Sequence, residues 1–238
     1  MRDASPPPGL VEQVYSNLLE TICSGGLPQG TRLTQEWLAE RLHVSRQPVI
    51  QALALLKSQG FVCEIGRRGL MVAPLDAEVV RSVYAVRGAL DKLAAREAAK
   101  TAKSDTDRRG KVIIANGRKA LASGSIARLI AADVEFHGFI YELSGNSIIN
   151  DTMELLWFRL RYAMSAYLRH SDWADETWDE HAAILQAILN HDPDRAERLA
   201  GAHVETATVL LRDELTRIET FDGTEAGRRR PFALAAGT

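Results

Sequence analysis

Between residues 76 and 220 the chain repeats one pattern: apolar side chains three or four positions apart, with no alternating run of the kind that makes a strand. Six segments carry it, at about 76–99, 105–123, 126–144, 147–170, 175–190 and 194–220. The connections are short and hold breakers: Gly124, Ser144-Gly145-Asn146, Ser171-Asp172 and Asp192-Pro193. Amphipathic helices joined this closely lie antiparallel and bury their apolar stripes against one another. The segment therefore predicts an antiparallel all-α bundle of about six helices.

The apolar stripes are not purely apolar. On the third predicted helix of the bundle, Ile126, Leu129, Ile130, Val134, Ile140 and Tyr141 define the inward arc, and Asp133 and His137 fall in its middle. An unpaired buried carboxylate costs several kcal/mol, so a partner is required. His181 lies among Trp178, Ile184, Leu185 and Ile188, and His203 among Leu199, Ala207 and Leu210. A lone inward histidine is ordinarily a hydrogen-bonded core residue. Three of them with an inward aspartate predict a divalent transition-metal site, zinc in the first place, with nickel, manganese or iron as alternatives. The i, i+4 spacing lets Asp133 and His137 share one ion from one helix face. His43, His170 and His191 fall at turns or helix ends and are expected to be solvated.

Two arginines share these arcs: Arg87 among Val80, Val83, Tyr84 and Leu90, and Arg159 among Leu155, Leu156, Tyr162 and Ala166. A buried guanidinium needs an anion, and arginine suits bidentate carboxylate binding. Both are candidates to hold an anionic effector. The competing internal partner for Arg87 is Asp91, one turn on. For Arg159 an internal salt bridge or a dimer surface is favoured over the effector.

Residues 10–75 read differently. Leu10, Val11, Val14, Leu18 and Ile22 mark a helix to Cys23, and Gly25, Gly26, Pro28 and Gly30 break it. Thr34 caps a second helix ending near Leu42, and after His43-Val44, Ser45 caps a third that runs to about Gln59. Gly60 closes it. Short β-rich runs at 61–65 and 70–73 flank Gly66-Arg67-Arg68-Gly69 as a hairpin, and Pro74 ends the unit. This order is a winged helix-turn-helix: three helices plus a β-hairpin wing. Its third helix would enter the major groove of double-stranded DNA, with Ser45, Arg46 and Gln47 at the contact end. Arg67 and Arg68 at the wing tip would reach the backbone or minor groove.

At 238 residues, two compact units are expected: 10–75 and 76–222, between a disordered N-terminus (1–9) and a disordered tail (223–238). Net charge is −2, and residues 1–75 hold seven basic and six acidic groups, so DNA binding has to rest on placement, not on sum. No apolar run is long enough for a membrane span, and MRDASPPPGL is no signal peptide. Two cysteines, Cys23 and Cys63, make no disulfide framework and suit a reducing cytoplasm.

The stretch LPQGTRLTQEWLAERLHVSRQPVIQALALLKSQGFV, with the wing GRRGLMVAP, resembles the DNA-binding domain of the GntR family of bacterial transcription regulators. The resemblance covers 10–74. His43 stands where that family usually has Gly, and tolerates positive φ. VIQAL at 49–53 stands where the family usually has VREAL, so Ile50 replaces a DNA-contacting arginine, and more of the contact falls to Arg46, Gln47 and the wing. Over about 78–220, DVEFHGFIYELSGN, DEHAAILQAI and AGAHVE resemble the FCD ligand-binding domain of the FadR subfamily, in its six-helix, VanR-like form. That resemblance implies metal ligation by Asp133, His137, His181 and His203, a small organic acid as effector, and Arg87 as an effector contact. It also implies a homodimer that binds operator DNA, here expected to act as a repressor. The alternative is a metal-dependent enzyme acting on small carboxylates, although no second carboxylate is placed as a general base. A third reading is a binding module whose histidines are only structural.

Overall fold

The computed structural model describes residues 9–66, 69–103, 105–168 and 174–225. The head comprises α1 (Leu10–Cys23), β1 (Arg32–Leu33), α2 (Gln35–Leu42), α3 (Arg46–Ser58), β2 (Val62–Ile65) and β3 (Gly69–Val72). The bundle comprises α4 (Ala77–Thr101), α5 (Thr106–Ala122), α6 (Ile126–Ser144), α7 (Ser147–Tyr167), α8 (Ala174–Leu189) and α9 (Pro193–Glu225).

Local chemistry sets most boundaries. Thr34 accepts from the Trp37 N–H at 3.3 Å to start α2, and Asp76 accepts from the Glu78 and Val79 N–H groups to start α4. His43 ends α2 in the left-handed region at φ 54°, and Gly145 ends α6 at φ 70°. Ser45 holds the N-cap position of α3 as expected, but its hydroxyl makes no capping bond. Proline at position 48, the third residue of that helix, has no N–H to give it.

The wing holds the expected hairpin, β2 pairing antiparallel with β3 with Val62 opposite Val72, and β1 adds a third strand at its edge. The whole is a three-stranded antiparallel sheet in the order β1-β3-β2, with Arg32 opposite Met71 and Leu33 opposite Leu70. A two-residue strand has no alternation to read; its pairing comes from the tertiary fold. The last helix also outruns its expected end at 220, since Gly223 alone resists helix in that stretch. Residues 223–225 are thus helical, while 1–8, 226–238, Ser171-Asp172 and His170 lie outside the described residues.

In the bundle α4 packs along α9 and across α6 and α7, while α5 and α8 close the other side. Gly117 on α5 makes room for the largest core side chain. A Cβ there would stand 2.0–2.2 Å from ring atoms of Trp178, which packs beneath His181. The head docks on α7. Tyr162, buried in the head's own core, donates to the Ala73 carbonyl, the Cys23 thiol donates to Phe158 O at 3.2 Å, and Arg161 pairs with Glu20. Burial pushes the Cys23 thiol up to about 12, so it is protonated and inert. No helix among the described residues is long and apolar enough to cross a membrane.

Candidate metal centre

Helices α6, α8 and α9 bring the four predicted side chains together in the bundle core. One ligand atom from each of Asp133, His137, His181 and His203 lies within 4.8 Å of the others, and all four residues are buried. Asp133 Oδ1 stands 3.8 Å from His137 Nε2 and 3.6 Å from His181 Nε2, which is 3.2 Å from His203 Nε2. Ligand atoms about 2.1 Å from a shared ion stand about 3.4 Å apart in a tetrahedral site, so the spacing fits one transition-metal ion.

Carboxylates back two of the imidazoles from outside. Glu180 Oε2 lies 2.7 Å from His203 Nδ1, and Asp91 Oδ2 lies 3.4 Å from His137 Nδ1. Tyr141 donates to the other oxygen of Asp91. Arg87 can only donate, and its Nη2 is 2.6 Å from His137 Nε2, so that nitrogen carries the lone pair and Nδ1 the hydrogen. This is the tautomer a metal ligand needs. Asp133 Oδ2 and His181 Nδ1 have no hydrogen-bond partner, Arg87 Nη2 standing 3.6 Å from the former. A buried carboxylate oxygen left this way is consistent with a cation in its coordination sphere.

The electrostatics point the same way. Burial, then Arg87 and the neighbouring imidazoles, hold His137 well below its ordinary 6.5; burial, then His203 and Arg87, do the same for His181. Both are neutral and able to ligate at pH 7. Burial raises the Asp133 carboxyl above its ordinary value, with Arg87 opposing. Burial alone would lower the Arg87 guanidinium, but Asp91 and Asp133 together raise it. Aromatic rings close the site: Phe136 stacks on His181 with centroids 4.1 Å apart, and Trp157 stands 6.2 Å from His137.

The other predicted residues are placed as follows. Arg87, 2 % exposed, is at the site, bonded at once to its internal partner Asp91 and to the histidine cluster. Arg159 is not brought there. It is exposed on the opposite side of α7, its Nη2 donating to Gln59 O at 3.1 Å and its guanidinium over Phe61, because the head covers the arc that the periodicity assigned to the bundle core. Ser45, Arg46 and Gln47 are exposed at the start of α3, and Arg46 pairs with Glu36 at 3.0 Å. Arg67 and Arg68 lie outside the described residues. His43 and His191 are exposed, although His191 Nδ1 lies 3.0 Å from Ala99 O. Glu180 and Trp157 escaped the sequence reading, and Tyr141 enters it only as an inward apolar residue, without its hydroxyl's bond to Asp91. Their partners lie on other helices, and no spacing within one helix signals them.

The chain matches the family model for bacterial regulatory proteins of the gntR family over residues 10–72 and that of the FCD domain over residues 82–206. It is 26% identical to the HTH-type transcriptional regulator BphR of Paraburkholderia xenovorans over 88% of this chain and 90% of that protein. It is 23% identical to the HTH-type transcriptional repressor RspR of Escherichia coli over 87% of this chain and 91% of that protein. Its fold is that of McbR/YncC of E. coli, with a TM-score of 0.71 at 21% identity over 87% of this chain and 99% of that structure. These families and relatives are transcriptional regulators, not enzymes, and the enzyme alternative finds no support among them. A winged head on residues 10–72 and an FCD bundle on 82–206 make this chain a member of the GntR family of bacterial transcriptional regulators, in the branch that carries an FCD domain.

Proposed function

We propose that this regulator is a cytoplasmic repressor whose grip on operator DNA is set by a small organic acid bound at a metal ion in the bundle. Asp133, His137, His181 and His203 hold the ion, zinc in the first place, and the effector's carboxylate joins it, with Arg87 holding a second anionic or polar group. Ser45, Arg46 and Gln47, with Arg67 and Arg68 of the wing, contact the operator. The observation that carries this reading is the convergence of one carboxylate and three imidazoles in a buried core, with Arg87 against them. A bound divalent ion supplies an electrophile for carboxylate oxygen and offsets the buried Asp133 charge. The chain works as a homodimer: α4 exposes Val79, Val86 and Leu93 at seven-residue spacing, a stripe suited to a second copy. A repressor role is supported by the likeness to RspR.

The test is elemental analysis of freshly purified protein, where about one first-row divalent ion per chain is expected, and its loss in His181→Ala and His203→Ala. A thermal-shift screen of mono- and dicarboxylates follows, then DNA titration with any hit. Coupling between sites is typically worth about 5- to 150-fold in affinity. Metal-free protein whose histidine variants melt like wild type would reduce the cluster to a structural role.

A further inference from the structure

Arg87 engages both sides of the metal centre. Its Nε donates to Asp91 Oδ2 at 3.2 Å, and its Nη2 donates to His137 Nε2 at 2.6 Å. The rings of Tyr84 and Trp157 flank the guanidinium, each centroid 5.6 Å from Cζ. His137 Nε2 is also the nitrogen that faces Asp133 Oδ1 across the centre, 3.8 Å away. A neutral imidazole has one lone pair. Spent on the Arg87 N–H, it cannot ligate an ion, and spent on an ion, it cannot accept from Arg87.

We infer that Arg87 is a built-in competitor for the metal site, whose guanidinium holds the ligating lone pair of His137 until metal binding forces it off. The inference rests on reading the quartet as a metal centre and adds an order of events to it. Charge supports the exchange. The buried residues Asp91, Asp133 and Arg87 carry formal charges that sum to one net negative without a metal. Arg87 then serves as the internal counter-ion. A divalent ion turns the same set to one net positive charge, and Nη2 loses its imidazole acceptor while Nε keeps Asp91. The freed Nη2 then has only Asp133 Oδ2, 3.6 Å away and beyond hydrogen-bond reach, and a buried donor left so next to surplus positive charge favours an anion. Metal entry thus converts Arg87 from a partner of His137 into a receptor for the effector's second group, so metal precedes anion.

The discriminating measurement is zinc affinity of full-length, chelator-stripped protein by competition with a chromogenic chelator, for wild type and Arg87→Met. Removing a competitor that donates a charged hydrogen bond should tighten zinc binding about tenfold to a hundredfold. If Arg87 instead positions His137, the variant binds zinc more weakly, and that result, or equal affinity, overturns the inference. Wild type that takes up no zinc would sink the metal-centre reading itself. Because Arg87→Met leaves Asp91 without its cation and can fail to fold, a second measurement uses the native arginine. The emission difference between wild type and Trp157→Phe is followed during zinc titration. A change that saturates at one zinc per chain is expected as the guanidinium re-seats against Trp157. Zinc-saturated protein whose Trp157 emission has not moved overturns the exchange.

Discussion

Glu180 on α8 accepts a hydrogen bond from Nδ1 of His203 on α9 at 2.7 Å, tying two helices together at the rim of the metal centre. The bond turns the Nε2 lone pair of His203 inward. Partners of this kind typically contribute about 10- to 100-fold in metal affinity. Glu180→Ala should weaken zinc binding by that factor while the fold persists, since Glu180 is only half-buried. Chelator competition at pH 7.5 checks this, and an unchanged affinity would show that packing alone orients His203.

Gly117 carries a second prediction. Gly117→Ala would place a Cβ about 2.0 Å from the rim of Trp178, which cannot yield without disturbing His181 and Phe136. Overpacking of this kind costs about 1–3 kcal/mol. A lower melting temperature is expected, with zinc loss at a lower temperature than in wild type. A variant that melts like wild type would mean α5 moves away freely.

How much of this was readable beforehand follows from where each signal sits. The inward arc of α6 disclosed Asp133 and His137, because a helix that repeats every 3.6 residues fixes its own buried face. His181 and His203 were readable for the same reason. Arg159 was misread by the same rule: α7 has two apolar faces, one on the bundle and one under the head, and periodicity does not say which neighbour covers which. The Glu180–His203 bond and the β1–β3 pairing are both contacts between elements, and a single helix or strand carries no trace of its partner.

A pH dependence follows from the buried imidazoles. Unfolded, His181 takes a proton near pH 6.5; folded, burial with His203 and Arg87 delays it to well below that value. Between the two values the unfolded state binds more protons, so stability is full above about pH 6.5 and falls as pH falls. In chelator-stripped protein one such group adds a slope of at most about 1.4 kcal/mol per pH unit. Asp133, shifted the opposite way, contributes to wild type and His181→Phe alike and cancels in their difference. Urea denaturation at pH 7.0 and 6.0 should show wild type losing about 0.7 kcal/mol more than His181→Phe. Parallel losses would place His181 in contact with water.

The last prediction concerns the head. Arg46 is exposed at the first turn of α3, and its ion pair with Glu36 at 3.0 Å joins two solvated side chains, 65% and 53% exposed. Such a pair is worth about 0–1 kcal/mol, too little to hold Arg46 back from a base or phosphate. Ile50 lies one turn further along, 38% exposed, where an apolar side chain offers phosphate nothing. Arg46→Ala should therefore weaken binding to the regulator's own promoter fragment by about 1–3 kcal/mol. Ile50→Arg should do the reverse without selectivity. It should tighten binding to promoter and unrelated DNA alike and steepen the salt dependence by about one counterion. Because Ile50 is partly solvated on a helix that buries its opposite side in the head core, the added arginine should leave the melting temperature nearly unchanged. Gel-shift titrations at two salt concentrations separate the effects. Promoter affinity indifferent to Arg46→Ala, together with an unaltered salt slope in Ile50→Arg, would remove α3 from the DNA interface.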